Sequence, residues 1–414
     1  MLLQNEPRQI MTDIVISTDF PPAIGGAHTW LYEVYRRWPS PVSVLAGTVS
    51  TEGAQGLSEH NFDNASHGAL TISRSARRIY DLNLVSPQCL SSIASQIHQI
   101  SALNTRATRR ELSAHIQVTR LHALRAFPEG FVGLLYKLIH FRNTQLIVYA
   151  HGEELLIAKT SRQLNAIAKF VYSNADLVIA NSENTKSLVH ALSQRANVTC
   201  IHPGVDFVRL STSIVDRSEF RRHRRWPQDT VVVCTLGRME PRKNHAIVIR
   251  AIAELRQHEL PVALVCAGDG PEKHSLHSLA NELGVSDWID FPGAISEEGK
   301  LKLYSAADIF AMPSIQHGPL IEGFGIVFIE AAAAGLPAIG GNTGGQPEAI
   351  IDGETGFIVD GSNLSQVVAA LEELASNAEK RQLMGRKAKQ WAQRHSWDRI
   401  VDTTLAQISK ISAS

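Results

Sequence analysis

The chain has 414 residues, 44% apolar and 19% charged, which is enough material for two buried cores at about 100–200 residues per domain. Lysine plus arginine equals aspartate plus glutamate at 40 each, so the net charge is zero and no global field points to nucleic acid. The cysteines Cys89, Cys200, Cys234 and Cys266 form no CxxC pair and read as reduced core thiols, as in a cytoplasmic protein. The opening decapeptide is too polar for a signal peptide, and no run of about 18 apolar residues exists to span a membrane.

After a loose extension over 1–10, the pattern predicts a strand over 13–17 and a loop with Pro21, Pro22, Gly25 and Gly26. Helical spacing follows through Trp30, Leu31, Val34 and Trp38, then a strand over 42–45. This alternation argues for a parallel α/β layer. Residues 50–110 are rich in Ser, Asn and His and yield no clear element. Strands follow at 116–118, 146–149 and 177–180, and a short one ends at Ile201. Pro203, Gly204 and a charged helix with Arg221, Arg222, Arg224 and Arg225, read as solvated, lead into a second unit. There strands at 231–236, 262–266, 309–312 and 337–339 alternate with helices such as 246–256 and 326–334. An amphipathic helix closes the chain from Trp391. Continuous apolar strands between amphipathic helices require a sheet covered on both faces. The expected organisation is a Rossmann-like domain over 1–206, a second over 207–392, and a helix over 393–414 that returns to the first. Two such domains would face each other across a cleft, with ligands at the carboxyl ends of the strands.

The segment from Glu322 to Glu330 carries the strongest chemical signal. Two carboxylates stand eight residues apart, and Gly325 opens the helix that bears the second. Eight helical residues reach about 12 Å, comparable to the span from a sugar ring across a pyrophosphate to a ribose. Amides at the helix start can hold phosphate between the two. Upstream, directly after a strand, Arg238 offers a bidentate grip on phosphate and Lys243 a point charge. Arg242 beside them reads as solvated.

These segments resemble the retaining glycosyltransferases of family four, which have the α/β GT-B fold. The resemblance rests on motifs in order: 21–26, Ala150-His151-Gly152, 203–206, Gly237-Arg238 with Lys243, 267–272, 291–293, the glutamate pair, and Gly344-Gly345-Gln346-Pro347-Glu348. It implies that Glu330 binds the donor ribose and that Arg238 and Lys243 bind the diphosphate. Glu322 would meet the donor sugar, with Phe324, Gly325 and Ile326 as backbone donors. Gly25 and Gly26 would approach the phosphate, His151 would lie near the reacting carbon, and Gly293 and Ile295 would lie beside the base. His202 stands where many members carry Asn.

No Asp-x-Asp occurs, and Arg238, Lys243 and a helix start can neutralise a leaving diphosphate, so no metal or other cofactor is expected beyond the nucleotide sugar. The loop over 22–28 lacks G-x-G-x-x-G, which argues against a dehydrogenase. A sugar-nucleotide epimerase and a non-catalytic nucleotide-sugar-binding protein are the competing readings. The expected donor is GDP-mannose or UDP-glucose, and the expected acceptor a glycan, a lipid-linked glycan or a small molecule. Arg106, Arg109, Arg110, Arg120 and Arg125, with Arg77 and Arg78 upstream, read as the solvated basic flank of a core helix or, alternatively, as a basic patch for peripheral contact with the inner face of a membrane.

Overall fold

The computed structural model describes residues 10–22, 25–47, 62–63, 65–75, 87–109, 117–139 and 144–412. Residues 1–9 of the expected extension, Arg77, Arg78, Arg110 and Ile116 lie outside them. The chain divides into two compact units, 1–201 with 400–414, and 202–399.

The first unit holds a parallel sheet in the order β3-β2-β1-β4-β5-β6-β7. Its strands are β1 Ile10–Ser17, β2 Val42–Gly47, β3 Leu70–Ser75, β4 Gln117–Ala123, β5 Thr144–Ala150, β6 Leu177–Ala180 and β7 Val198–Cys200. The unread 50–110 region supplies β3 and the 23-residue helix Pro87–Arg109. Apolar residues of β1, β4 and β5, including Ile14, Leu121 and Val148, are fully buried against helices such as Phe131–Ile139 and Arg162–Asn174.

Strand β4 corrects the sequence reading. The strand expected at 116–118 continues to Ala123, and Arg120 is inside it rather than on a basic surface. The buried Asp13 on β1 pairs with it: Arg120 Nη2 donates to Asp13 Oδ2 at 2.6 Å and Arg120 Nε to Oδ1 at 2.7 Å. Trp38 Nε1 donates to Oδ2 at 3.1 Å and His122 Nε2 to Oδ1 at 2.8 Å. Burial pushes the His122 imidazole down, so it is neutral. With its proton on Nε2, its Nδ1 accepts from Tyr35 Oη at 2.6 Å, and Tyr35 Oη in turn accepts from Tyr149 Oη at 2.9 Å. Burial alone would raise the Asp13 carboxyl; His122 and Arg120 overcome it and hold the group well below the usual carboxylate range.

Arg125 is likewise engaged, donating to Asp19 Oδ2 at 3.1 Å. The basic patch therefore loses two of its five members; the side chains of Arg106 and Arg109 lie outside the described residues. No helix among the described residues is long and apolar enough to cross a membrane.

The second unit repeats the plan in the order β10-β9-β8-β11-β12-β13. Its strands are β8 Val231–Leu236, β9 Val262–Ala267, β10 Ile289–Gly293, β11 Ile309–Met312, β12 Ala338–Gly341 and β13 Gly356–Val359. Strands β8, β9 and β11 are apolar runs buried almost throughout, as expected for a sheet covered on both faces. The Arg221–Arg225 segment departs in part from the expected solvated helix: Arg222 and Arg225 are exposed, but the other two arginines are engaged. Arg221 is buried and donates to Asp308 Oδ2 at 2.7 Å, and Arg224 donates to Asp290 Oδ2 at 2.6 Å while stacking on Phe220. Two helices, Ala378–Gln393 and Trp397–Ser412, replace the single helix expected from Trp391.

Candidate active site

In each sheet the strand order reverses beside the first strand, and an open α/β sheet binds ligands outside the carboxyl ends of its strands at that point. In the second unit the reversal lies between β8 and β11. The loop after β8 carries Arg238 and Lys243, and the loop after β11 carries Glu322.

Both loops are tied together by their own chemistry. Asn244, in the left-handed region at φ 58°, donates through Nδ2 to Pro313 O at 3.1 Å and to Gly361 O at 2.7 Å. Ile315 N donates to Arg242 O at 2.9 Å. Lys243 Nζ then donates to Glu322 Oε2, and Arg242 Nη1 donates to the same oxygen at 3.1 Å. Lys243 and Glu322 are both buried. Burial would raise the Glu322 carboxyl, but Lys243 and Arg242 outweigh it and hold it below the ordinary carboxylate range. Arg242, expected in solvent, is thus a member of the site, whereas Arg238 has a 72% exposed side chain and faces Glu240 at 3.8 Å.

The segment 344–348 supports Glu322 from below. Gly345 N donates to Glu322 O at 2.9 Å. Gly344 sits at φ +67°, where a Cβ would lie 2.3 Å from the Glu322 carbonyl oxygen, so only glycine fits. The fully buried Gln346 accepts from Ser314 N at 3.0 Å and Gly341 N at 2.9 Å, and donates to Ser314 O at 3.0 Å and Thr343 O at 2.9 Å. Every polar atom of its amide is used, which locks the ends of β11 and β12. Its role was not read from the sequence, although it lies inside a matched motif. Phe324 is buried and stacks on His202, whose Nε2 meets Glu348 Oε2 at 2.9 Å.

Gly325, at φ 87°, precedes the helix Ile326–Ala333 and makes no side-chain cap, so the first amides of the helix have no side-chain acceptor there. Glu330 lies on that helix. Lys300 Nζ donates to its Oε1 at 2.7 Å, and Tyr304 Oη to its Oε2 at 3.1 Å. Both partners come from the helix Glu297–Ala306 at i and i+4, one face of that helix. That spacing was their only signal in the sequence. Gly293 is buried at the end of β10, and a cavity of about 450 Å³ opens beside Ile295, lined also by Phe220, Arg224, Pro292 and Leu303.

In the first unit Gly25 precedes the helix Gly26–Tyr35 with no side-chain cap. His151 follows β5. Its Nε2 donates to Leu124 O at 2.8 Å, and Trp30 meets its ring edge-on at 5.7 Å between centroids. Burial, aided by Arg125, pushes this imidazole down to about 3. His151 is therefore neutral, with Nδ1 as its acceptor nitrogen.

Residues 24–209 match the family described as Glycosyltransferase Family 4, and residues 216–391 the one described as Glycosyl transferases group 1. A GDP-mannose-dependent alpha-(1-6)-phosphatidylinositol monomannoside mannosyltransferase of Mycobacterium tuberculosis is 32% identical over 266 residues, covering 62% of this chain and 67% of that protein. A D-inositol 3-phosphate glycosyltransferase of Corynebacterium efficiens is 36% identical over 249 residues, covering 58% and 56%. Among solved structures, Anabaena HepE with UDP and glucose matches at a TM-score of 0.75 and 20% identity, over 96% of this chain and 100% of that one. The sucrose-phosphate synthase of Thermosynechococcus elongatus matches at 0.73 and 20%, over 98% and 100%. With two Rossmann-like units, the glutamate pair and these relatives, the chain belongs to glycosyltransferase family four and has the GT-B fold.

Proposed function

We propose that the protein transfers a hexose from a nucleotide diphosphate to an acceptor hydroxyl, with retention of anomeric configuration and without a bound metal. The observation that carries this reading is the Lys243–Glu322 pair at the strand-order reversal. An arriving diphosphate offers Lys243 a stronger anionic partner. The exchange frees the Glu322 carboxylate for the hydroxyls of the sugar. As the glycosidic bond breaks, charge grows on the leaving phosphate. Lys243, Arg238 and the first amides of the Ile326–Ala333 helix are the groups to stabilise it. His151, neutral at ordinary pH, can accept but not donate at Nδ1, which suits contact with a sugar hydroxyl rather than acid catalysis.

GDP-mannose is the first donor to test, because the mycobacterial relative is GDP-mannose-dependent. UDP-glucose is the second, and ADP serves as a nucleotide control. The acceptor is proposed to be a glycan or a lipid-linked glycan. A nucleoside diphosphate at 100 times its Kd should stabilise the fold by about 2.7 kcal/mol, so melting curves with UDP, GDP and ADP rank the base. Transfer should then persist in excess EDTA, and NMR of the product should show the donor's configuration. An inverted linkage, or activity abolished by EDTA, overturns the corresponding part of the proposal.

A lipid-linked acceptor would bring the first unit to a membrane. Leu138 and Ile139, 42% and 62% exposed at the end of the Phe131–Ile139 helix, are the apolar groups to enter it. Changing both to Ser should lower flotation with anionic vesicles; unchanged flotation, or none by the unaltered protein at low salt, removes this contact.

A further inference from the structure

We infer that Lys300 is a donor-positioning residue, holding the Glu330 carboxylate so that it presents two free acceptor positions to a ribose diol. The inference rests on the proposed function and on the ribose role that the family resemblance implies for Glu330, and adds what makes that carboxylate competent. An ionised carboxylate has about four lone-pair positions. Lys300 takes one on Oε1 at 2.7 Å, and Tyr304 takes one on Oε2 at 3.1 Å. One position remains on each oxygen, the number that the 2′- and 3′-hydroxyls of a nucleotide need. The two tethers rise from one helix face, so they fix the rotation of the carboxylate plane as well as its place.

The surroundings make the cation necessary. Glu330 is buried on the Ile326–Ala333 helix. Among the described residues, the groups that meet it are Lys300 and Tyr304, with Glu297 3.1 Å beyond Lys300 and the buried Cys234 of β8 beside Tyr304. Burial pushes the Tyr304 hydroxyl and the Cys234 thiol up, so both are neutral. Lys300 is accordingly the single positive charge in this set. Without it the buried carboxylate keeps Tyr304 as its one tether in this set and faces no cation there.

The test compares the unaltered protein with Lys300→Met, Lys300→Arg and Glu330→Gln. Each is titrated calorimetrically with UDP or GDP, whichever binds the unaltered protein more tightly, and with its 2′,3′-dideoxy counterpart, from about pH 5.5 to 8.5. Melting temperatures report the fold. The unaltered protein should prefer the ribonucleotide by at least about tenfold across the range, the yield of two hydrogen bonds to a charged acceptor. Glu330→Gln should bring that preference within about twofold at every pH. Lys300→Met should keep part of it at high pH and lose it as pH falls, because no cation then faces the buried carboxylate. Lys300→Arg should restore a flat profile. A folded Lys300→Met variant with unaltered preference and no pH dependence overturns the inference alone. A Glu330→Gln variant with full preference overturns it together with the ribose assignment.

Discussion

Replacing Lys243 by methionine is expected to lower kcat/KM by about 2–4 kcal/mol, the cost of removing one charge-stabilising donor from a reacting centre. The side chain is one of two cations, with Arg242, that meet Glu322 where the β8 and β11 loops join, and the leaving diphosphate is where charge develops. The substitution has a second effect that its loop position conceals. Lys243 is buried against Glu322, so its removal leaves a buried carboxylate with Arg242 as its remaining cation. Removing one partner of a buried pair costs about 3–5 kcal/mol of stability, less here because Arg242 stays. The folded-state Glu322 carboxyl lies below its unfolded value. Its contribution to stability is therefore present above the unfolded pKa and lost as pH falls toward the folded one. Lys243→Met shrinks that contribution and moves the loss to higher pH. Steady-state kinetics and melting temperature are measured on the same preparation. A folded variant with near-native kcat/KM sinks the assignment of Lys243 to the diphosphate.

Asp13→Ala is expected to be more damaging to the fold, at about 3–5 kcal/mol, against a total stability of about 5–15 kcal/mol for a typical domain. Arg120, His122 and Trp38 all donate to this one carboxylate, and all three are buried. Alanine leaves a guanidinium inside the first unit with no anion. Restoring an apolar match with Arg120→Met in the same chain should recover much of the loss, since a buried ion pair replaced whole is often neutral. The pH dependence follows from two shifts of one sign. Asp13 is depressed in the folded state, so its stabilisation fades as pH drops below its unfolded pKa, about 3.9. His122 is depressed too, so the unfolded chain takes up a proton below about 6.5 that the folded chain refuses. Acid should therefore destabilise the first unit in two stages. Chemical denaturation at pH 7.5 measures the loss; an Asp13→Ala protein as stable as the unaltered one contradicts the account.

The same cluster shows why part of the fold was illegible in sequence. Strands 177–180, 231–236 and 309–312 are continuous apolar runs and were read to the residue. Strand β4 hides Arg120 and His122 in its interior, and the partner that makes this tolerable, Asp13, is 107 residues upstream of Arg120. No local pattern reports such a pairing. Arg221, Arg224 and Arg242 failed for the same reason: a charge looks solvated until its counter-charge is found in three dimensions. The glutamate pair and Lys243 could be singled out because each stands in a short segment of recognisable spacing, whereas the 344–348 motif was matched by resemblance and the part Gln346 plays in it was not read. Lys300 was not, because it meets Glu330 from a separate helix.

The first unit is finished by residues 400–414, after 202–399 have been made. At roughly 5–20 residues per second, synthesis of that intervening stretch occupies about 10–40 seconds. Through that interval the seven-stranded sheet waits without its last helical segment, and Gln145, which donates to Ile411 O at 3.5 Å in the finished fold, has no such acceptor. The second unit has all of its own residues first. On the ribosome the order of completion is thus the reverse of the order of emergence.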